Sequence, residues 1–133
     1  MVAKARARAI YDALAVGDVV EHLRTETGVL DLVVAADVFV YLGDLGPVIA
    51  AVADRLAPGG LFIFSVEADE GDGFSLRDSL RYAHGIGHIT AAAARAGLAV
   101  TAMEPAVLRS DRGRPVDGLL VALEPFNAPG RSP

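Results

Sequence analysis

The sequence contains no cysteine, which excludes disulfides, zinc–thiolate sites, iron–sulfur clusters and thiol nucleophiles together. It has no apolar run near the roughly 18 residues that a membrane-spanning helix requires, because Asp31, Asp37 and Asp44 interrupt its most apolar region. A basic excess is missing too. The formal net charge of −5 speaks against a general nucleic-acid footprint, which needs a basic surplus or stripe. The one basic cluster, Lys4, Arg6 and Arg8, is spaced so that a helix spreads it around its solvated surface. No apolar signal-peptide core with a small-residue cleavage site follows the opening "MVAKARARA", so the expectation is a cytoplasmic protein with neither a membrane nor a nucleic-acid partner.

What is present suits one compact domain. A chain of 133 residues buries roughly 65 to 70% of the surface that its unfolded form exposes. We expect the domain to span residues 1–124, followed by a loose tail over 125–133, "PFNAPGRSP". Between the ends, apolar runs of strand length alternate with alanine-rich stretches of helical period, the pattern of an α/β fold with a mostly parallel sheet. "MVAKARARA" reads as a helix, "DALAV" as a short strand ending at Gly17 and Asp18, and "VVEHLRTET" as a short helix stopped by Gly28. "LDLVVAA" is the strongest strand, β-branched and apolar on both faces as a central parallel strand must be.

A helix from about Leu45 to Leu56 follows, with Pro47 in its first turn and the apolar stripe Val48, Ala51, Val52, Leu56. "APGG" ends it, with Gly59 or Gly60 supplying a left-handed residue, and "LFIFSVE" is a second buried strand. The glycine-rich "ADEGDGFSLRDSLRYAHGIGH" is too long for an ordinary connection and reads as an active-site or lid loop. "ITAAAARAG" is a helix with Gly97 as its cap; "LAVTAMEPAVLR" and "RPVDGLLVALE" are strands joined by the tight "SDRG", an antiparallel pair closing the sheet. Pro105 inside the first suggests a bulge or an edge position.

Three carboxylates stand at strand ends: Asp18 after "LAV", Asp37 after "LDLVVAA" and Glu67 after "LFIFSV". In open α/β sheets the crevice beyond the carboxyl ends of parallel strands holds the ligand, so these three are candidates to line one rim. The competing reading is that Asp37 or Asp44 caps the next helix. His84 and His88, four apart, have a spacing that could seat a metal on a helix, but Gly85 and Gly87 between them oppose a regular turn and no third ligand is placed. We assign no metal.

"LDLVVAADVFVYLGDL" and "LAPGGLFIFSVE" together resemble the second half of the class I S-adenosylmethionine-dependent methyltransferases. In that family a central strand ends in a small residue and an Asp or Asn, then an apolar triplet and a His or Tyr, here Ala36, Asp37 and Tyr41; Leu56, Pro58, Gly59 and Gly60 match the end of the next helix. "RYAH", a helix, and "VLR" followed by "GRPVDGLLVAL" resemble the branch often found beside tetratricopeptide repeats. The resemblance implies a partial Rossmann-like sheet, mostly parallel with a C-terminal antiparallel pair and helices on both faces. It implies S-adenosyl-L-methionine as cofactor and methyl transfer to an unidentified nucleophilic acceptor. Asp18 would accept a hydrogen bond from the adenine amino group, Val19 would stack near the ring, and Ala35, Ala36 and Asp37 would face the methionine end. Tyr82 and His84 would lie in the acceptor-side loop as candidate catalytic groups, His84 as a proton acceptor, unless they serve only in packing.

The family's first strand, its Gly-x-Gly-x-Gly loop and the acidic residue for the ribose hydroxyls have no counterpart in this sequence, so the resemblance implies a truncated domain lacking its first two βα units. Its neighbour gone, "LDLVVAA" would have an unpaired edge, to be covered by "DALAV", by a second copy in a homodimer or by a separate polypeptide. The alternative function is a non-catalytic remnant, an oligomerisation or interaction module acting through that edge.

Overall fold

The structure, a computed structural model, describes residues 19–25, 28–36 and 38–126. The expected first helix and the "DALAV" strand lie outside the described residues, as do Asp18 and Asp37. Within them a short helix α1, Val19–Thr25, leads to β1, Leu30–Ala35; a 3₁₀ turn over Phe39–Tyr41 leads to α2, Gly46–Arg55. Then come β2 (Leu56–Ala68), β3 (Phe74–Leu76), β4 (Tyr82–His84), α3 (Ile86–Arg95), β5 (Leu98–Asp111) and β6 (Arg114–Pro125).

Two glycines turn the chain where a side chain would be strained. Gly59 takes φ +78° within β2, at the irregularity between Leu56 and Leu61, and Gly97 takes φ +78° between α3 and β5. The β5–β6 hairpin closes on Arg112 (φ 52°) and Gly113 (φ 79°), consecutive left-handed residues of the kind that match the twist of a two-residue hairpin. β6 runs through Pro125, and the Phe126 N–H donates to the Gly97 carbonyl at 2.9 Å. Pro105 sits in β5, an edge strand, as its missing donor favours.

The sheet corrects the expected one in strand direction. β1 and β4 run parallel to β2, but β6 is antiparallel to β2, β3 to β4, and β5 to β6, so antiparallel pairing predominates. The stretch read as a long loop also contributes strands, one parallel pair and one antiparallel. Phe74↔His84, Ser75↔Ala83 and Leu76↔Tyr82 pair as a hairpin, closed by Leu80 at φ 66° and joined to the end of β2 by an Asp69 N–H to the His84 carbonyl. Such three-residue strands carry too little periodicity to read from sequence.

The three described helices build one layer on one face of the sheet. Phe62, Phe64 and Val66 of β2 and Leu119, Val121 and Leu123 of β6 point into it, against Leu23 of α1, Val48, Ile49 and Val52 of α2, and Ile89, Ala92 and Ala93 of α3. Phe39 stacks on this floor, its ring 5.0 Å from Phe64 and 6.0 Å from Phe62. Alternate residues of β2 and β6 face the other way, and on that face Val34 and Leu32 of β1 are 59% and 56% exposed. β1 is thus not the strand buried on both faces that its composition suggests. No described helix is long and apolar enough to cross a membrane.

Candidate functional site

β2 has β6 along one edge over residues 62–67, so β1, paired up to Phe64, and β4, paired from Glu67, must share the other edge. β4 continues the line of β1 beyond its carboxyl end. Between them the chain leaves β1 at Ala36 and opens a crevice on the uncovered face. Its apolar part, about 440 Å³, is lined by Val34, Ala35, Ala36, Ile63, Ser65 and Leu120. This is a volume in the range of small-molecule pockets. Beyond it a polar cleft of about 1060 Å³ opens past the end of β2, between the β3–β4 hairpin and the β5–β6 turn, with Glu67, Asp69, Arg77, Asp111, Arg114 and Asp117 among its walls. Arg109 borders both spaces.

Glu67 is buried, and its Oε2 accepts a hydrogen bond from Arg109 Nη2 at 3.0 Å. A carboxylate taken this far out of water needs such a charged donor. Arg77 also reaches Asp69 Oδ1, at 3.4 Å, an exposed contact worth at most about 1 kcal/mol. Glu67 therefore lies on the rim as its strand position predicts, and its partner Arg109 is a residue that sequence reasoning missed. Nothing local marks Arg109: it comes from β5, 42 residues away, and only the β6 register brings it over β2.

The segment after the 3₁₀ turn is held by two histidines. His84 is 0% exposed, and its Nε2 lies 2.8 Å from the Leu42 carbonyl and 2.9 Å from that of Gly43. His88 Nε2 accepts the Leu45 N–H at 3.0 Å and stands 3.8 Å from Asp44 Oδ1. The rings stack at 6.0 Å and 26°, with Phe74 packed edge-on to His88 at 5.1 Å. Burial lowers the pKa of both below the ordinary 6.5; the two carbonyls partly offset this at His84, and Asp44 does so at His88.

Of the residues singled out in the sequence, Ala35 and Ala36 line the apolar crevice together. Val19 opens α1, while Asp18 and Asp37 lie outside the described residues. The capping role considered for Asp44 is met in part, its Oδ1 accepting the Gly46 N–H at 2.8 Å. His84, the candidate proton acceptor, is fully buried, with its Nε2 committed to the carbonyls of Leu42 and Gly43. Tyr82 is half-buried beside Phe74, ring centroids 6.1 Å apart. Among the described residues no three metal-ligating side chains converge.

No protein-family model matches the sequence, and no curated protein does. Solved structures do match the fold. An S-adenosylmethionine-dependent methyltransferase from Clostridium acetobutylicum superposes with a TM-score of 0.67 at 16% identity, over 94% of this chain and 69% of its own. The N-methyltransferase NodS from Bradyrhizobium japonicum, solved with S-adenosyl-L-homocysteine, gives 0.65 at 24% identity, over 94% and 60%. A methyltransferase from Methanosarcina mazei gives 0.58 at 11%, over 78% and 64%. The chain thus has the Rossmann-like fold of S-adenosylmethionine-dependent methyltransferases and spans 60 to 69% of the length of these three proteins.

Proposed function

We propose that this chain is a methyltransferase domain that binds S-adenosyl-L-methionine and presents its methyl group to a nucleophilic acceptor. The observation that carries the reading is the apolar crevice where β1 ends, floored by Ala35 and Ala36, on a fold that known methyltransferases share. Small side chains there let a ligand approach the backbone closely, and the space suits the methionine end of the cofactor. The cofactor, when bound, supplies an electrophilic methyl group; the chain's part is to orient it and exclude water. The adjoining polar cleft, with Glu67 and Arg109 at its inner end, is where we place the acceptor. Asp18 and Val19 are proposed for the adenine and Asp37 for the methionine end, and "RYAH", now partly strand β4, is the basis for placing the chain in the tetratricopeptide-associated branch.

Calorimetric titration of the full chain with S-adenosyl-L-homocysteine tests the reading. We expect saturable heat, and an affinity at least roughly tenfold lower in Ala36→Trp, whose ring fills the crevice mouth, a loss of about 1.4 kcal/mol. Absence of heat at millimolar ligand, or undiminished binding in Ala36→Trp at an unchanged melting temperature, would overturn it.

A second reading, an interaction module, is favoured by one observation: β1 pairs only with β2 among the described residues, and Leu32 and Val34 on it are exposed. Apolar edges of this kind invite pairing with another chain, and a second copy would join two sheets edge to edge. Light scattering decides it: a dimer that Leu32→Glu dissociates supports this reading, and a monomer at high micromolar concentration removes it.

A further inference from the structure

We infer that His84 and His88 are positioning residues, two neutral stacked imidazoles of opposite tautomer that clamp the Leu42–Leu45 segment and so fix the loop leaving the crevice. Both partners of His84 Nε2, the carbonyls of Leu42 and Gly43, are acceptors. That nitrogen must therefore carry the proton, and Nδ1 is left as a lone pair. Nδ1 is buried and has no hydrogen-bond partner. His88 is the reverse. Its Nε2 receives the Leu45 N–H, so it is bare and the ring proton sits on Nδ1. One loop thus takes a donor from one histidine and an acceptor from the other, within four consecutive residues.

The packing leaves little slack. A Cβ at Gly43 would come within 2.9 Å of the Phe74 ring and 3.1 Å of Tyr82, and one at Gly85 would collide with the Gly71 carbonyl. The charged and titratable groups facing the pair are few. His84 meets His88 and Asp69; His88 meets Asp44 and Arg95, and Asp72 packs against the adjoining Gly87. A second proton on His88 can go only to Nε2, the atom that holds Leu45, so protonation opens that side of the clamp and offers the new N–H to Asp44. On His84 it would place a charged N–H where no acceptor waits. The clamp is closed while both rings are neutral, and acid opens it at His88.

The tautomers follow from geometry alone; the effect on ligand rests on the cofactor reading above, and the tests keep the two apart. Long-range proton–nitrogen NMR of the full chain at pH 7.5 should show His84 protonated at Nε2 and His88 at Nδ1. As pH falls from 7.5 to below the lowered pKa of His88, the Leu45 amide should lose roughly fivefold in exchange protection, after correction for intrinsic rates, as expected for one hydrogen bond. His88→Gln keeps an acceptor oxygen for Leu45 without a titrating group, and there the loss should disappear. S-adenosyl-L-homocysteine affinity should fall in parallel in the wild type only. Identical tautomers, a charged ring at pH 7.5, or the same pH response of Leu45 in both proteins would overturn the clamp. Ligand binding whose pH profile is identical in wild type and His88→Gln would overturn its positioning role. If the tautomers and Leu45 behave as expected while no ligand binds, the clamp stands and the cofactor reading fails.

Discussion

The two faces of the sheet are built from alternate residues of the same strands, yet they do different work. On the covered face Phe62, Phe64, Val121 and Leu123 are at most 1% exposed and meet three helices in one core. On the open face Leu32, Val34 and Leu120 are half exposed, and Glu67, the one buried carboxylate among the described residues, is paired with Arg109. A single-residue step along β6, from Leu120 to Val121, passes from one regime to the other. Burial energy belongs mainly to the first face, and the second, apart from the Glu67–Arg109 pair, is free to hold a ligand because little of the core's stability depends on it.

The largest effects should come from breaking the covered face. Phe64→Ala removes a fully buried ring that contacts both Phe39 and Phe62, and urea unfolding should show a loss of about 3 to 5 kcal/mol. Next is the boundary between the faces. Arg109→Ala deprives the buried Glu67 carboxylate of its charged donor, and we expect a loss of about 2 to 3 kcal/mol in the same assay. A loss under about 0.5 kcal/mol would mean that water reaches Glu67 and that the two faces are less distinct than their side chains indicate.

The histidine clamp gives a smaller effect with a definite sign. Burial holds the pKa of His84 and His88 below 6.5 in the folded chain. The unfolded chain therefore binds more protons below about pH 6.5, and stability rises with pH there. It is fully present above pH 6.5 and is lost as pH falls from that value towards the lowered native ones. The slope is at most about 1.4 kcal/mol per pH unit for each histidine. Chemical denaturation at pH 7.5, 6.5 and 5.5 checks this, and His88→Gln should flatten its share. A flat profile in the wild type would show that neither ring is held neutral.

What the sequence disclosed follows the same division. Core strands β1 and β2, helices α2 and α3 and the β5–β6 hairpin were legible because apolar periodicity and glycine positions encode them locally. Hidden were features set by neighbours distant in sequence. "LDLVVAA" reads as buried on both faces, since composition alone does not show which face the helices cover; in the structure Leu32 and Val34 are exposed. "YAH" gives no sign that its histidine is fully buried, because the carbonyls that bind it come from a loop about 40 residues earlier. Ala35 and Ala36, which line the crevice, were reached only through the family resemblance, whereas the Glu67–Arg109 pair depended on a register fixed only when β5 and β6 fold back.

The smallest predicted effect tests the comparison most sharply, because it uses adjacent residues. Val121→Ala deletes two buried methyl groups from the covered face and should cost about 2 kcal/mol. Leu120→Ala deletes more carbon one residue away, but from a side chain that is 44% exposed and lines the crevice. Little apolar surface returns to water and no closed cavity forms, so urea unfolding should register a change within about 0.5 kcal/mol. Its consequence should appear instead in the titration with S-adenosyl-L-homocysteine, as an affinity roughly threefold to fivefold weaker from lost apolar contact. Equal destabilisation by the two variants would mean that the open face is covered in solution, by another part of the chain or by a second copy. Oligomeric state measured on Leu120→Ala then distinguishes these: a shift towards monomer identifies the second copy as the cover, and an unchanged monomer identifies the chain itself.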